Sequence, residues 1–299
     1  MATEKKFNVY EMVTKQILTT MMAGIIPWRQ TYFKKGKKAP YTNRFTGKPY
    51  SFLNGMLLGM PGEYATFNQI KEHGGHILKG AKSKFVIYWG EYIPKENKEE
   101  AERLEAEGKD TSHLKVKFPK YYKVFSMNDV EGIKNDAEEP APMQAAEDPT
   151  DIADMAIDEY TMAEQVIVEE DDTADPSYDP ETDTVTVPPK AAFGFEEDFY
   201  ASLFGQLIHS TAADKRCARK KELEALKANE ATVKEELIAE IGSTMCLQAA
   251  GLERHETQEQ QAAICQKYIE AMNRDYRLIV TASYGAEKAA RMVLGQFAA

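Results

Sequence analysis

Lysines interleaved with aromatic rings are the residues of this sequence best suited to chemistry at a surface, and that chemistry is recognition of a charged, base-bearing polymer. Lys34, Lys35, Lys37 and Lys38 lie between Trp28, Tyr32, Phe33 and Tyr41, and are followed by Asn43, Arg44, Lys48 and Tyr50. A second cluster, Lys79, Lys82 and Lys84, comes after Gly74-Gly75 and just before Tyr88 and Trp89. In a groove for single-stranded nucleic acid, cations track the phosphates while ring faces stack on unpaired bases. The same composition also suits a domain whose aromatics are core and whose lysines are a solvated face. The residues alone leave both readings open.

The 299 residues carry a formal net charge of -11, which as an average argues against phosphate contacts. The charge is unevenly spread: +9 over residues 1–134, -20 over 135–198 and 0 over 199–299. Cys217, Cys246 and Cys265 form no C-x-x-C pair and read as reduced intracellular thiols. The segment Met1 to Phe7 is polar, and no apolar run approaches the roughly 18 residues needed to span a bilayer. A cytoplasmic location with no membrane partner is therefore expected.

These side chains need elements to position them. Tyr10, Val13, Ile17 and Met21 form one helical stripe over residues 8–24, with Asn8 and Glu11 at capping-box spacing and Gly24 at the exit. Thr66 and Gln69 start a short helix that ends at Gly74-Gly75. Residues 84–93 and 116–127 are rich in Val, Ile, Tyr, Phe and Trp and read as strands, pairable as a hairpin around a solvated excursion with a helical middle. Residues 135–158 are rich in Ala, Pro, Asp and Glu; they read as a flexible acidic linker because they offer little apolar surface to offset ordering entropy. Beyond it, residues 185–187 suggest a strand, and Phe199, Leu203, Leu207 and Val233, Leu237, Ile241 mark two helices. Two more helices are expected over residues 258–273 and 285–297. The fold class is α+β in two domains: residues 1–134, mixed helix and sheet, and residues 159–299, mainly helical.

Pro27-Trp28, then Asn43-Arg44-Phe45-Thr46-Gly47-Lys48-Pro49-Tyr50 with Asn54, resemble the N-terminal domain of the ArdC antirestriction family. So do Thr66-Phe67-x-Gln69, Gly74-Gly75, Lys79-Gly80, Trp89 and Tyr121-Tyr122-Lys123-Val124-Phe125. The resemblance implies a domain that binds single-stranded DNA, and the +9 charge of residues 1–134 adds the expectation that this segment binds it alone. The lysine and aromatic clusters and the resemblance together give the candidate nucleic-acid-binding residues Trp28, Lys34, Lys35, Lys37, Lys38, Tyr41, Asn43, Arg44, Lys48, Tyr50, Asn54, Lys79, Lys82 and Lys84.

From about Tyr160 onward the chain resembles the family's zincin-like metallopeptidase domain, through Tyr178-Asp179-Pro180, Phe199-Tyr200-Ala201, His209-Ser210-Thr211 and Glu235-Glu236-Leu237-Ile238-Ala239-Glu240. That chemistry needs H-E-x-x-H, two zinc-binding imidazoles one turn apart with a carboxylate that activates water. Here the five positions read Gly205, Gln206, Leu207, Ile208, His209. One ligand and the general base are missing. His209 and Glu240 are left as vestigial candidates, so no catalytic residue, no zinc cofactor and no enzyme activity are expected. His255, Cys217 and Cys246 have no spacing that makes them replacement ligands. The implied function is a single-stranded-DNA-binding, anti-defence pseudoenzyme of a mobile genetic element, with a host defence protein as a second partner. Two alternatives stay open: a metallopeptidase with a substituted metal site, and a DNA mimic acting through the acidic segment.

Overall fold

The computed structural model describes residues 8–31, 40–133 and 148–298. Helix α1 (Val9–Met22) starts where the Asn8 side chain accepts the Tyr10 N–H, and it buries Val13, Ile17, Leu18 and Met21 on one face. Gly24, at φ +78°, turns the chain into the short helix α2 (Pro27–Gln30). The four-stranded sheet comprises β1 (Tyr41–Asn43), β2 (Gly62–Ala65), β4 (Lys84–Tyr92) and β5 (Val116–Ser126), in the order β1-β2-β5-β4. β1 and β2 are parallel, and the other pairs are antiparallel. Helix α3 (Phe52–Leu58) follows β1, and α4 (Phe67–Glu72) carries the full Thr66/Gln69 capping box. The small pair β3 (His76–Ile77) and β6 (Val130–Glu131) closes the unit, and α5 (Lys98–Ala106) is the helical middle of the excursion between β4 and β5. Pro119 lies in β5 where only β4 pairs with it, so its missing N–H faces an open edge.

Helix α6 (Pro149–Glu164) occupies much of the stretch read from sequence as flexible linker; residues 135–147 lie outside the described residues. Asp148 caps it, Pro149 takes a first-turn position, and Ala153, Ala156, Ile157 and Tyr160 are buried. The alanines that made the composition look linker-like are good helix formers, and their small size lets α6 pack closely. A second sheet has the order β7 (Ile167–Glu170), β9 (Thr184–Val187), β8 (Ser177–Asp179). Then come α7 (Glu196–Ser210), α8 (Lys220–Glu224), α9 (Ala228–Ala250), α10 (Gln258–Arg274) and α11 (Leu278–Leu294), the last starting seven residues before the position expected from sequence. The fold is α+β, as the sequence indicated.

The core does not stop between the two units. Val13, Ile17, Trp28, Phe52 and Leu57 belong to the same buried cluster as Leu207, Leu237, Met245 and Ile279. Helix α1 packs against α10 and α11, and the Thr14 hydroxyl donates to the Tyr276 carbonyl at 2.8 Å. Helix α9 crosses α7 at Gly242, where a Cβ would come within 2.9 Å of the Ile208 side chain. Among the described residues no helix is long and apolar enough to cross a membrane.

Candidate nucleic-acid interface and candidate metal site

Strand alternation divides the β4–β5 hairpin into two faces. On one face Lys84, Val86, Tyr88, Gly90 and Tyr92 lie opposite Val124, Tyr122, Lys120, Phe118 and Val116. Near β2 this face is core: Val86 and Val124 are fully buried with Tyr41, Leu58 and Tyr64, and Tyr50 and Tyr122 pack against them. Farther out it opens. Tyr88 is 46% exposed and Tyr92 51%; Tyr88 lies 5.7 Å from the Tyr122 ring and Tyr92 5.2 Å from Phe118. The Lys120 ammonium sits 5.0 Å from the Phe118 ring centroid, across Gly90, where a Cβ would meet its chain at 2.9 Å. The result is a solvent-facing strip of rings and cations, the combination that binds bases and phosphates together.

The residues singled out from sequence divide into two sets. Trp28 is 0% exposed, donates its indole N–H to Glu240 at 3.1 Å and meets Tyr268 edge to face at 5.8 Å. It is a core residue and cannot stack on a base. Tyr41 is buried in the small core under the sheet. Asn43 accepts the Phe45 and Thr46 N–H groups and donates to Gln69 at 3.1 Å, so it builds the turn before Tyr50. Asn54 donates to the Ile87 carbonyl at 2.9 Å and accepts the Ile87 N–H at 2.8 Å, acting as a substitute strand residue at the β4 edge. Arg44 pairs with Glu63 at 3.0 Å. Lys84 donates to the Leu58 carbonyl, and burial lowers its pKa. Trp28, Tyr41, Asn43 and Asn54 are buried and are corrected to structural roles, while Arg44 and Lys84 are partly exposed and already have partners within the fold.

Lys48, Lys79 and Lys82 are exposed, and Tyr50 is half-buried beside the strip. Lys34, Lys35, Lys37 and Lys38 lie outside the described residues. Sequence reasoning missed Tyr92, Phe118, Lys120 and Tyr122, although the period-two repeat of rings and lysines in both strands carried the signal.

In the helical unit, His209 lies in the last turn of α7, and its Nδ1 is 3.4 Å from Glu235 Oε1 on α9. Arg219 donates to Glu235 from Nη2 at 2.5 Å and from Nε at 3.1 Å, and also reaches Thr211 Oγ1 and the Ile208 carbonyl. Burial alone would raise the Glu235 pKa, but hydrogen bonds from His209 and Arg219, with the Arg219 charge, hold it below the usual value. Glu240, expected to face His209, does not. Five residues along a helix turn the side chain by about 140°, and Glu240 instead receives Trp28, Arg29 and Arg254. Burial opposes its charge, and the two arginines nevertheless keep its pKa low.

A zincin-type metal does not fit this donor set. His209 and Glu235 are adjacent, but Glu235 is already neutralised by Arg219, and Gly205 and Gln206 supply neither imidazole nor base. Among the described residues no three His, Cys, Asp or Glu side chains are grouped to hold a metal ion. His255 stacks on Phe195 at 3.9 Å, while Cys217 and Cys246 are buried, Cys217 with its Sγ against the Met292 sulfur. The scaffold around position 205 is open, since a Cβ there meets nothing within 4 Å.

Comparison with known proteins places both halves. Residues 7–125 match the family described as the N-terminal domain of anti-restriction factor ArdC, and residues 155–285 match the zincin-like metallopeptidase family. Crystal structures of antirestriction protein ArdC from the R388 plasmid, one metal-free and one Mn(II)-bound, superpose with a TM-score of 0.68. They are 25% identical and cover 97% of this chain and 98% of theirs. Two Escherichia coli proteins named DNA primase TraC are 26% and 25% identical over 95% and 97% of this chain. The chain spans only 20% and 27% of the length of those relatives.

Proposed function

The chain belongs to the ArdC antirestriction family, and from that premise we propose that it binds single-stranded DNA through the outer face of the β4–β5 hairpin and acts without hydrolysing peptides. The strip of Tyr88, Tyr122, Lys120, Phe118 and Tyr92 carries the reading. The exposed rings of Tyr88 and Tyr92 offer faces to unpaired bases, and the exposed Lys120 between the rings offers charge to the intervening phosphates. Relatives named for priming DNA and for antirestriction agree with a DNA partner. A strand coated in this way inside the cytoplasm is withheld from a host nuclease, the simplest route to an anti-defence effect.

The zincin-like half serves in this proposal as a scaffold. Its helices supply the partners of α1, Trp28 and Arg29, while the positions that would activate water hold Gly205 and Gln206. The test is a fluorescence-anisotropy titration of the full chain with single- and double-stranded oligonucleotides at two salt concentrations, alongside a peptidase assay with added Zn(II) or Mn(II). Single-strand preference that weakens with salt, with no cleavage, is expected. Equal, salt-insensitive binding of both polymers removes the DNA assignment, and metal-dependent cleavage removes the pseudoenzyme assignment.

A further inference from the structure

A cavity of about 470 Å³ opens between the edge strand β4 and helix α11. Its walls are aromatic: Trp89 and Tyr284 meet edge to face with centroids 6.0 Å apart, and Tyr88 and Tyr284 are 46% and 54% exposed. The cavity begins where helix α3 stops covering the strand. Asn54 occupies the outward N–H and C=O of Ile87; two residues on, alternation aims the same groups of Trp89 out of the same edge, where no strand among the described residues pairs with them.

Two further features point to a polar, charged occupant. The Ser283 hydroxyl lines the cavity from α11, in a residue only 1% exposed, and has no hydrogen-bond partner among the described residues. A buried polar group left unpaired is uncommon and costly, and a ligand atom would satisfy it. At the rim stand Lys288 and Arg291, against the single carboxylate of Glu287, which is held by the Phe52 N–H and by Arg291, both at 3.1 Å. Lys288 spends one N–H on the Cys217 carbonyl at 3.3 Å and keeps two.

We infer that this cavity holds one unpaired base of a bound DNA strand. The base stacks on Tyr284 and Trp89, its polar edge meets Ser283 and the β4 edge, and its phosphate lies toward Lys288 and Arg291. The inference rests on the single-strand reading and deepens it, because it carries the strand from the hairpin onto the helical half. A duplex, whose bases are already stacked and paired, offers no free ring to these side chains.

The test uses the full chain and a 20-nucleotide strand carrying either 2-aminopurine or 5-iododeoxyuridine. Tyr284→Ala removes an exposed ring, so the melting temperature is expected to hold while affinity falls roughly 5- to 150-fold, the range for one lost base stack. Tyr284→Phe keeps the ring and is expected to stay within about twofold. With the native chain, 2-aminopurine emission is quenched and the iodinated strand crosslinks to the peptide containing Trp89 or Tyr284. Native binding with neither quenching nor that crosslink, or with Tyr284→Ala unimpaired, overturns the cavity assignment and leaves the hairpin reading standing. No single-strand binding by the native chain overturns both.

Discussion

Glu240 accepts the indole N–H of Trp28 at 3.1 Å across 212 positions of sequence. This contact ties the helix that precedes the sheet to the helix that carries Glu235. It also converts two residues that resemble functional ones, a stacking ring and a metal ligand, into partners in one buried junction with Arg29, Arg254 and Glu256.

Glu240→Ala is expected to destabilise the chain by about 3–5 kcal/mol, because Arg29 and Arg254 then keep buried charge with less compensation. Urea unfolding of the variant against the native chain measures this. A change below about 1 kcal/mol would show the junction to be solvated.

This junction and the separate His209–Glu235–Arg219 cluster together set an acid limit. Glu240 and Glu235 are both held below the ordinary value of 4.5 in the folded chain, so folding favours their charged forms. The stability they add is present above pH 4.5 and is lost as pH falls through the lower folded values. Melting temperature measured from pH 7 downward should hold until about that point and then drop. Glu240→Gln should flatten the drop while lowering the plateau.

Trp28→Ala is expected to cost about 3–5 kcal/mol as a core truncation, with single-strand affinity of the remaining folded protein unchanged. Lys120→Ala is expected to do the reverse: near-native melting, and a salt dependence of binding shallower by about 0.7 in log–log slope for one lost phosphate contact. Both are read by thermal melting and by titration across salt. A Trp28 variant that melts normally but binds weakly would restore the ring to the interface.

Residues 1–134 expressed alone are expected to lack a cooperative melt, since α1, Trp28 and Phe52 lose the helices that bury them. Residues 1–298 should melt as one unit by calorimetry. A sharp, independent transition for the short fragment would mean that its own sheet suffices.

Gly205→His combined with Gln206→Glu should create metal uptake, because position 205 is open and His209 and Glu235 stand one beside the other. Metal content of the purified double variant, measured with and without Glu235→Gln, checks this. Uptake that survives Glu235→Gln would point to different ligands. Failure to take up metal would show that Arg219 holds Glu235 too firmly to be displaced.

By itself the sequence determined the local elements and the family. Capping at Asn8 and Thr66, the stripes of Val13 and Ile17 and of Leu203 and Leu207, and the β-rich runs around Tyr88 and Tyr122 all act over a few residues, where periodicity and caps are read directly. The loss of a ligand at Gly205 and of a base at Gln206 was equally plain, because it is a matter of side-chain chemistry. Only the tertiary structure decided which rings are surface and which are core. Trp28 and Tyr92 are both aromatic residues near cations, and burial separates them, at 0% and 51% exposed. Tertiary structure also turned Glu235 rather than Glu240 toward His209, and drew α1 and α6 into one core with the C-terminal helices. Burial and pairing at these places depend on segments 26 to 262 residues away, and no short-range pattern carries that information.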